Sequence, residues 1–172
     1  MNLPDCPTPT QKYDRIVMAH GGPTSQAHAD LNVSLQFWTS RGFAVVDVNY
    51  RGSTGWGTEY RQAMDGLLGG TDIEDGVGAV QFLADHGRIN PERVAIRGGS
   101  AGGFTTLGAL TFTDVFTAGC SLYGIGDLAV LAGDTHKFES RYMDGLVAPF
   151  PNPVYAERSP INHIDQLSAP MI

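Results

Sequence analysis

Between Ile96 and Thr106 the chain reads IRGGSAGGFTT, four glycines around one serine, directly after a short apolar run. Each glycine held in an ordered element costs roughly 0.5–1 kcal/mol, because it gives up more backbone freedom than any other residue. A chain that concentrates four of them here needs a turn too tight for Cβ atoms. Ser100 is therefore placed on a sharp turn from a strand into a helix, and the flanking sequence has to provide both elements.

It does. VAIRG reads as a buried strand and Ala101 to Thr111 as the helix that follows. Upstream, RIVMA (Arg15–Ala19) is a short apolar run closed by HGGP, and FAVVDV (Phe43–Val48) is a β-branched one. Leu31, Leu35 and Trp38 recur at helical spacing between Asp30 and Ser40, with Arg41-Gly42 as a stop. Thr58 to Leu68 predicts a short helix. TDIE (Thr71–Glu74) reads as a capping box, followed by one apolar face through Ile73, Val77, Val80 and Leu83. FTAGCSLYG supplies a fourth strand. Alternating strands and helices predict a parallel sheet covered on both faces by right-handed crossovers. Residues 1–14 read as an extended lead-in; beyond Asp127 the chain turns irregular and proline-rich, and LSAPMI looks like the start of another strand. Residues 15–172 then form one partial domain.

The chain has 172 residues, enough to bury a sizeable core. Its net charge of -7, with no basic patch, argues against nucleic acid as a partner. No long apolar span predicts a membrane segment, so a cytoplasmic setting is expected. Cys6 and Cys120 make no metal-ligand pattern, and neither metal nor cofactor is expected. Cys120, in TAGCSLY, reads as a buried small hydrophobe.

Gly98-Gly99-Ser100-Ala101-Gly102 satisfies G-x-S-x-G with a strand before and a helix after, the context in which such a serine is a nucleophile. A phosphate-binding loop would carry a lysine after the glycines, where Phe104-Thr105-Thr106 stand instead. The helix beginning at Ala101 points free N–H groups toward the place where negative charge would develop. His20-Gly21-Gly22-Pro23, after the first strand, sits where a second oxyanion donor is expected. The candidate donors are the amides of Ala101 and of Gly22 or Gly21, and His20 is expected to hold that loop by hydrogen bonds.

HGGP, DVNYRGSTGWG, IRGGSAGG and THKFESRY together resemble the catalytic domain of the prolyl oligopeptidase family, with acylaminoacyl-peptidase and dipeptidyl-peptidase-like members as the nearest likeness. The resemblance runs from about Arg15 to the end. It implies a three-layer α/β-hydrolase fold with a mostly parallel sheet, incomplete here, normally following an N-terminal β-propeller in a longer chain. The activity implied is hydrolysis of short peptides through an acyl-enzyme on Ser100. The family has its triad acid and histidine after later strands, so this chain is expected to lack both and to be nearly inactive alone. His86, His136 and His163, and Asp127 and Asp134, are not at the expected positions. Where many members carry tyrosine in the RGSTG loop, this chain has Trp56, a candidate pocket wall. Tyr123, Phe138 and Tyr142 are further candidates for the substrate pocket, Phe138 falling where dipeptidyl peptidases line it. Glu59, Arg61, Asp72, Glu74 and Asp75 read as solvated helix residues and caps. An esterase and a non-catalytic binding remnant are the alternatives.

Overall fold

A computed structural model describes residues 14–134 and 141–172. Nearly all of the lead-in, Cys6, His136 and Phe138 lie outside the described residues. Four strands, β1 (Asp14–Ala19), β2 (Phe43–Val48), β3 (Val94–Gly99) and β4 (Ala118–Leu122), pair in parallel in the order β2-β1-β3-β4. From β1 the chain first crosses to β2, then returns over β1 to reach β3. The order reverses between β1 and β3, and the carboxyl ends of strands at such a reversal form a crevice where ligands bind. The register pairs Ala19 with Gly98, so the HGGP loop leaves the sheet beside Gly99 and Ser100.

The helices are α1 (Val33–Thr39), α2 (Thr58–Gln62), α3 (Thr71–Asp85), α4 (Ala101–Phe112), α5 (Leu128–Gly133), α6 (Tyr142–Leu146) and α7 (Val154–Glu157), followed by a 3-10 helix at Pro160–Gln166. α4 packs against β1, β3, β4 and α3. With its glycines and threonines it is a poor helix former by propensity. Burial on nearly every side holds it, and Thr106 and Thr111 return their hydroxyls to carbonyls four residues back (2.9 and 2.8 Å). Along β3, Val94, Ile96 and Gly98 are buried while the residues between are half-buried. Val94 and Ile96 join Val17, Val80 and Leu110 in the core between the sheet and α3 and α4. A second core, around Tyr50, Met64, Phe104, Leu128, Met143 and Tyr155, lies among the loops and short helices. On the sheet's other face, Met18, Asp47 and Arg97 share an open hollow with Asn32 and Leu35.

Local differences from expectation have identifiable causes. α1 starts at Val33 because the Asn32 side chain accepts the N–H groups of Ser34 and Leu35. No residue of α1 is buried, although Trp38 meets Phe43 edge-on at 5.5 Å. α2 ends at Gln62, and positive φ at Gly66 (72°) and Gly69 (81°) turns the chain toward α3. Thr71 is inside α3 rather than capping it, with Gly70 in the capping position. Asp72 is 1% exposed and points inward, a correction to its reading as a solvated residue. Beyond Asp127 the chain is helical first: Asp127 caps α5 by accepting the N–H groups of Ala129 and Val130 (2.8 and 3.1 Å). The strand start expected in LSAPMI is present as a parallel bridge of Met171 to Gly119, alongside β4.

Candidate active site

Ser100 occupies a backbone conformation with φ 57° and ψ -120°. Among the described residues only Ser100 and Tyr123 have positive φ without being glycine. Such strain persists only where the surroundings over-determine it, and it concentrates at functional sites. Ser100 N–H donates to the Leu122 carbonyl (3.0 Å), which ties the turn to β4 and removes that N–H as an oxyanion donor. The Ser100 side chain is exposed.

The glycines are there for approach. A Cβ on Gly102 would stand 2.7 Å from the Ala19 carbonyl carbon, 2.8 Å from the His20 oxygen and nearer still to the Ala19 oxygen. One on Gly98 would run into the Gly102 carbonyl. One on Gly21 would stand 3.0 Å from the Gly99 oxygen and 3.5 Å from the Ser100 Cβ, so the HGGP loop lies directly against the serine. Gly22 has φ 74°, and its carbonyl accepts the hydroxyls of Thr24 (3.2 Å) and Tyr142 (3.4 Å). Ala101, first in α4, has no carbonyl four residues back inside the helix for its N–H. Gly22, Ser100 and Ala101 thus face one space.

His20 anchors this loop from below. Its ring stacks on Tyr50 at 4.2 Å between centroids, and its Nε2 lies 2.8 Å from the Ser53 hydroxyl. Tyr50 donates its hydroxyl to the His20 carbonyl (2.6 Å). Burial pushes the imidazole below its ordinary value, against the opposing pull of the Gly21 carbonyl and of Asp47. A neutral, engaged imidazole suits the holding role expected for it. Behind it, Asp75 accepts the Arg51 backbone N–H (2.7 Å) and pairs with its guanidinium, fixing the start of the RGSTG loop to α3; Glu74 joins the same pair. These two carboxylates are therefore partnered rather than simply solvated.

The pocket beside Ser100 holds about 150 Å³. Gly22, Pro23, Ser100, Ala101 and Tyr142 line it together with the aliphatic and aromatic side chains of Leu68, Phe104, Ile125, Leu128, Leu131, Met143 and Leu146. None of these side chains is charged. Of the expected pocket residues, Tyr142 lines this space. Tyr123, 82% exposed, borders a second, more open hollow of about 340 Å³ with Ser100, His20 and Arg97. Trp56, 62% exposed and tilted against Tyr60, lines neither. The aliphatic walls were not singled out in the sequence, because they come from separate stretches of the chain.

Among the described residues no histidine shares a hydrogen bond with Ser100. His86 Nδ1 lies 2.7 Å from the Phe82 carbonyl at the end of α3, and His163 packs edge-on to Phe112. Asp127 is occupied as a cap and Asp134 ends α5. No group of three or more His, Cys, Asp or Glu among the described residues is disposed to hold a metal ion. No helix there is long and apolar enough to cross a membrane.

Residues 29–172 match the model of the prolyl oligopeptidase family. The dipeptidyl aminopeptidase BIII of Pseudoxanthomonas mexicana is 32% identical over 98% of this chain, which covers 25% of that protein. A puromycin-hydrolyzing peptidase of Mycobacterium tuberculosis superposes with a TM-score of 0.91 at 47% identity, covering 94% of this chain and 25% of its own. An acylaminoacyl peptidase in complex with Z-Gly-Gly-Phe-chloromethyl ketone superposes at 0.85 and 28% identity, over 94% of this chain and 27% of its own. The chain spans about a quarter of the length of these relatives. With a G-x-S-x-G turn at the reversal of a parallel α/β sheet and a family match over most of its length, this chain belongs to the prolyl oligopeptidase family.

Proposed function

We propose that this is the nucleophile-bearing part of a serine peptidase that cleaves short peptides through an acyl-enzyme on Ser100. The observation that carries the reading is the strained, exposed Ser100 lining an apolar pocket together with Gly22 and Ala101. Ser100 Oγ attacks the scissile carbonyl, its proton passing to a base, and the carbonyl oxygen becomes an oxyanion. The N–H groups of Ala101 and of Gly22 or Gly21 receive that charge, and donors fixed in a rigid turn need little reorganisation to do so. The pocket accepts the side chain on the acyl side of the cut. An apolar cavity of about 150 Å³ is large enough for benzene, so an aromatic ring or a branched aliphatic chain fits, and a charged one would be left unpaired. The peptide ligand of the acylaminoacyl peptidase, which ends in Phe, supports that class.

No described residue supplies the base. In this reading the base and acid come from later strands of the same domain in a longer protein, which would also carry an N-terminal β-propeller, and the length of the relatives supports a longer chain. A cytoplasmic setting belongs to the same proposal. A triad without its base keeps mainly oxyanion and binding effects, so acylation of this chain should run about 10,000-fold or more below that of complete serine hydrolases. The test is labelling with a fluorophosphonate, with the Ser100→Ala chain as control. Slow labelling confined to Ser100 is expected. Labelling at the rate of complete enzymes would refute the missing base and make His136 and His163 the next residues to replace. For the longer protein, faster turnover of nitrophenyl esters with no cleavage of aminoacyl-nitroanilides would turn the assignment to an esterase.

A further inference from the structure

Beneath the nucleophile turn lies a carboxyl group that the chemistry above does not use. Asp72, in the first turn of α3, is 1% exposed. Its Oδ1 accepts the Gly69 N–H at 2.7 Å, and its Oδ2 lies 2.5 Å from the Thr105 hydroxyl on α4. Thr105 is buried as well, and the same hydroxyl lies 3.1 Å from the carbonyl of Ala101. One hydroxyl proton thus faces two acceptors. If Asp72 is ionised, Thr105 donates to the carboxylate and the Ala101 carbonyl receives nothing from it. If Asp72 is protonated, the acid donates to Thr105 Oγ1, which frees the threonine proton for the Ala101 carbonyl. The proton count of one buried group therefore selects the hydrogen bonding of the first residue of α4.

We propose that Asp72 and Thr105 are a positioning pair for the Ser100 turn, passing the charge state of the buried carboxyl to the carbonyl of Ala101. The functional consequence rests on the reading of Ser100 as nucleophile and of the Ala101 N–H as an oxyanion donor; the coupling itself does not. The titratable and charged groups around the pair are few. Tyr50 approaches from the exit of β2, its own phenol raised chiefly by burial and then by Asp72. The Arg158 guanidinium is engaged by the carbonyls of Gly66 and Leu68 on the adjoining turn (3.0 and 2.9 Å). Glu74 and Asp75, on the same helix as Asp72, turn to Arg51. Burial pushes the Asp72 carboxyl above its ordinary 3.8, outweighing the bonds from Thr105 and from the Gly69, Asp72 and Ile73 amides. The protonated acid therefore persists to higher pH than it does for an exposed aspartate.

The experiment is a carbon-detected NMR titration of the 172-residue chain, following the Asp72 carboxyl and the Ala101 carbonyl together. The Ala101 signal is expected to shift with the Asp72 midpoint, above pH 3.8. Thr105→Val keeps the shape of the side chain and removes the relay, so Asp72 still titrates while Ala101 no longer follows it. Asp72→Asn, whose amide donates to Thr105 as the protonated acid does, should hold Ala101 at its low-pH position at every pH. An Ala101 signal that stays flat through the Asp72 titration, or that moves equally in Thr105→Val, overturns the proposal. Neither readout uses Ser100 chemistry, so the coupling fails or stands separately from the assignment of the nucleophile. Fluorophosphonate labelling of Ser100 should slow about three- to tenfold in Thr105→Val, since displacements well under 1 Å matter at a reacting centre. A Thr105→Val chain in which Ala101 no longer follows Asp72 but Ser100 labels at the wild-type rate would remove the positioning role.

Discussion

Gly102→Ala sets two physical effects against each other. In a helix, alanine is favoured over glycine by up to about 1 kcal/mol, and Gly102 is the second residue of α4, so propensity alone predicts a more stable chain. Packing predicts the reverse. The new Cβ would stand 2.7 Å from the Ala19 carbonyl carbon and 2.8 Å from the His20 oxygen, where ordinary contact begins at 3.4 Å. Both neighbours are backbone, held by the β1–β3 ladder, so no side chain can rotate away. The Ala19 oxygen lies nearer still, so relief needs α4 and the end of β1 to separate by well over the ~0.7 Å that the carbon alone would require, and close-packed interiors yield such distances only at a cost. Inserting a methyl into a packed site costs about 1–3 kcal/mol, and contact with fixed backbone puts this site near the upper end, so a net loss of about 2 kcal/mol remains after the propensity gain. For a chain of this length that corresponds to a fall of roughly 4–8 °C in the thermal midpoint. The same separation moves the Ala101 and Gly22 amides apart, and a misplacement near 1 Å is worth about 100-fold in acylation rate. Circular dichroism melting and fluorophosphonate labelling read the two effects. A Gly102→Ala chain that melts at or above the wild-type midpoint would mean that the glycine is not there for close approach, and the packing argument for the whole turn would fall.

Gly78→Ala is the matched opposite: Gly78 lies inside α3, exposed, with nothing within 4 Å of an added Cβ, so the midpoint should rise by about 2–4 °C. A fall would point to an unseen neighbour. His20 gives a pH signature. Its folded-state value is depressed below 6.5, so its contribution is complete above pH 6.5 and is lost as pH falls through the lower folded value. Melting at pH 7 and pH 5 should show a loss that shrinks in His20→Asn; an identical slope in both chains would show that the ring is not held neutral. Asp75→Asn breaks the charge pairing with Arg51 while keeping an acceptor for its backbone N–H, and because both side chains are partly exposed the loss should be no more than about 1 kcal/mol. A drop of several kcal/mol would place Asp75 in a tighter network than its exposure shows.

The turn around Ser100 was legible because its requirements are local. Sharp reversal, glycine on both sides, an apolar run before and a helix after are all properties of eleven consecutive residues. The HGGP loop could be placed by its position after the first strand, and His20 by its neighbours. The pocket could not be read that way. Its walls come from four separate stretches, Leu68, Phe104, Ile125 to Leu131 and Met143 to Leu146, that share no sequence signal beyond being apolar. Trp56 and Tyr123 looked equally suited by residue type, yet one lies against Tyr60 and the other borders a different hollow.

Asp72 shows the boundary most clearly. As one of several acidic residues opening a helix, it carries the pattern of a solvated cap, and hydrophobic periodicity contains nothing to separate it from Glu74. Only the packing of α3 against α4 turns it inward onto Thr105, while the neighbouring Glu74 stays outside with Arg51. The sequence by itself determined the strand–helix alternation, the forced turn and the choice of Ser100 as the candidate nucleophile, because each depends on residues a few positions apart. The pocket, the holding of His20 and the buried carboxyl were decided by tertiary structure, since burial and proton state depend on which distant segments close over a group.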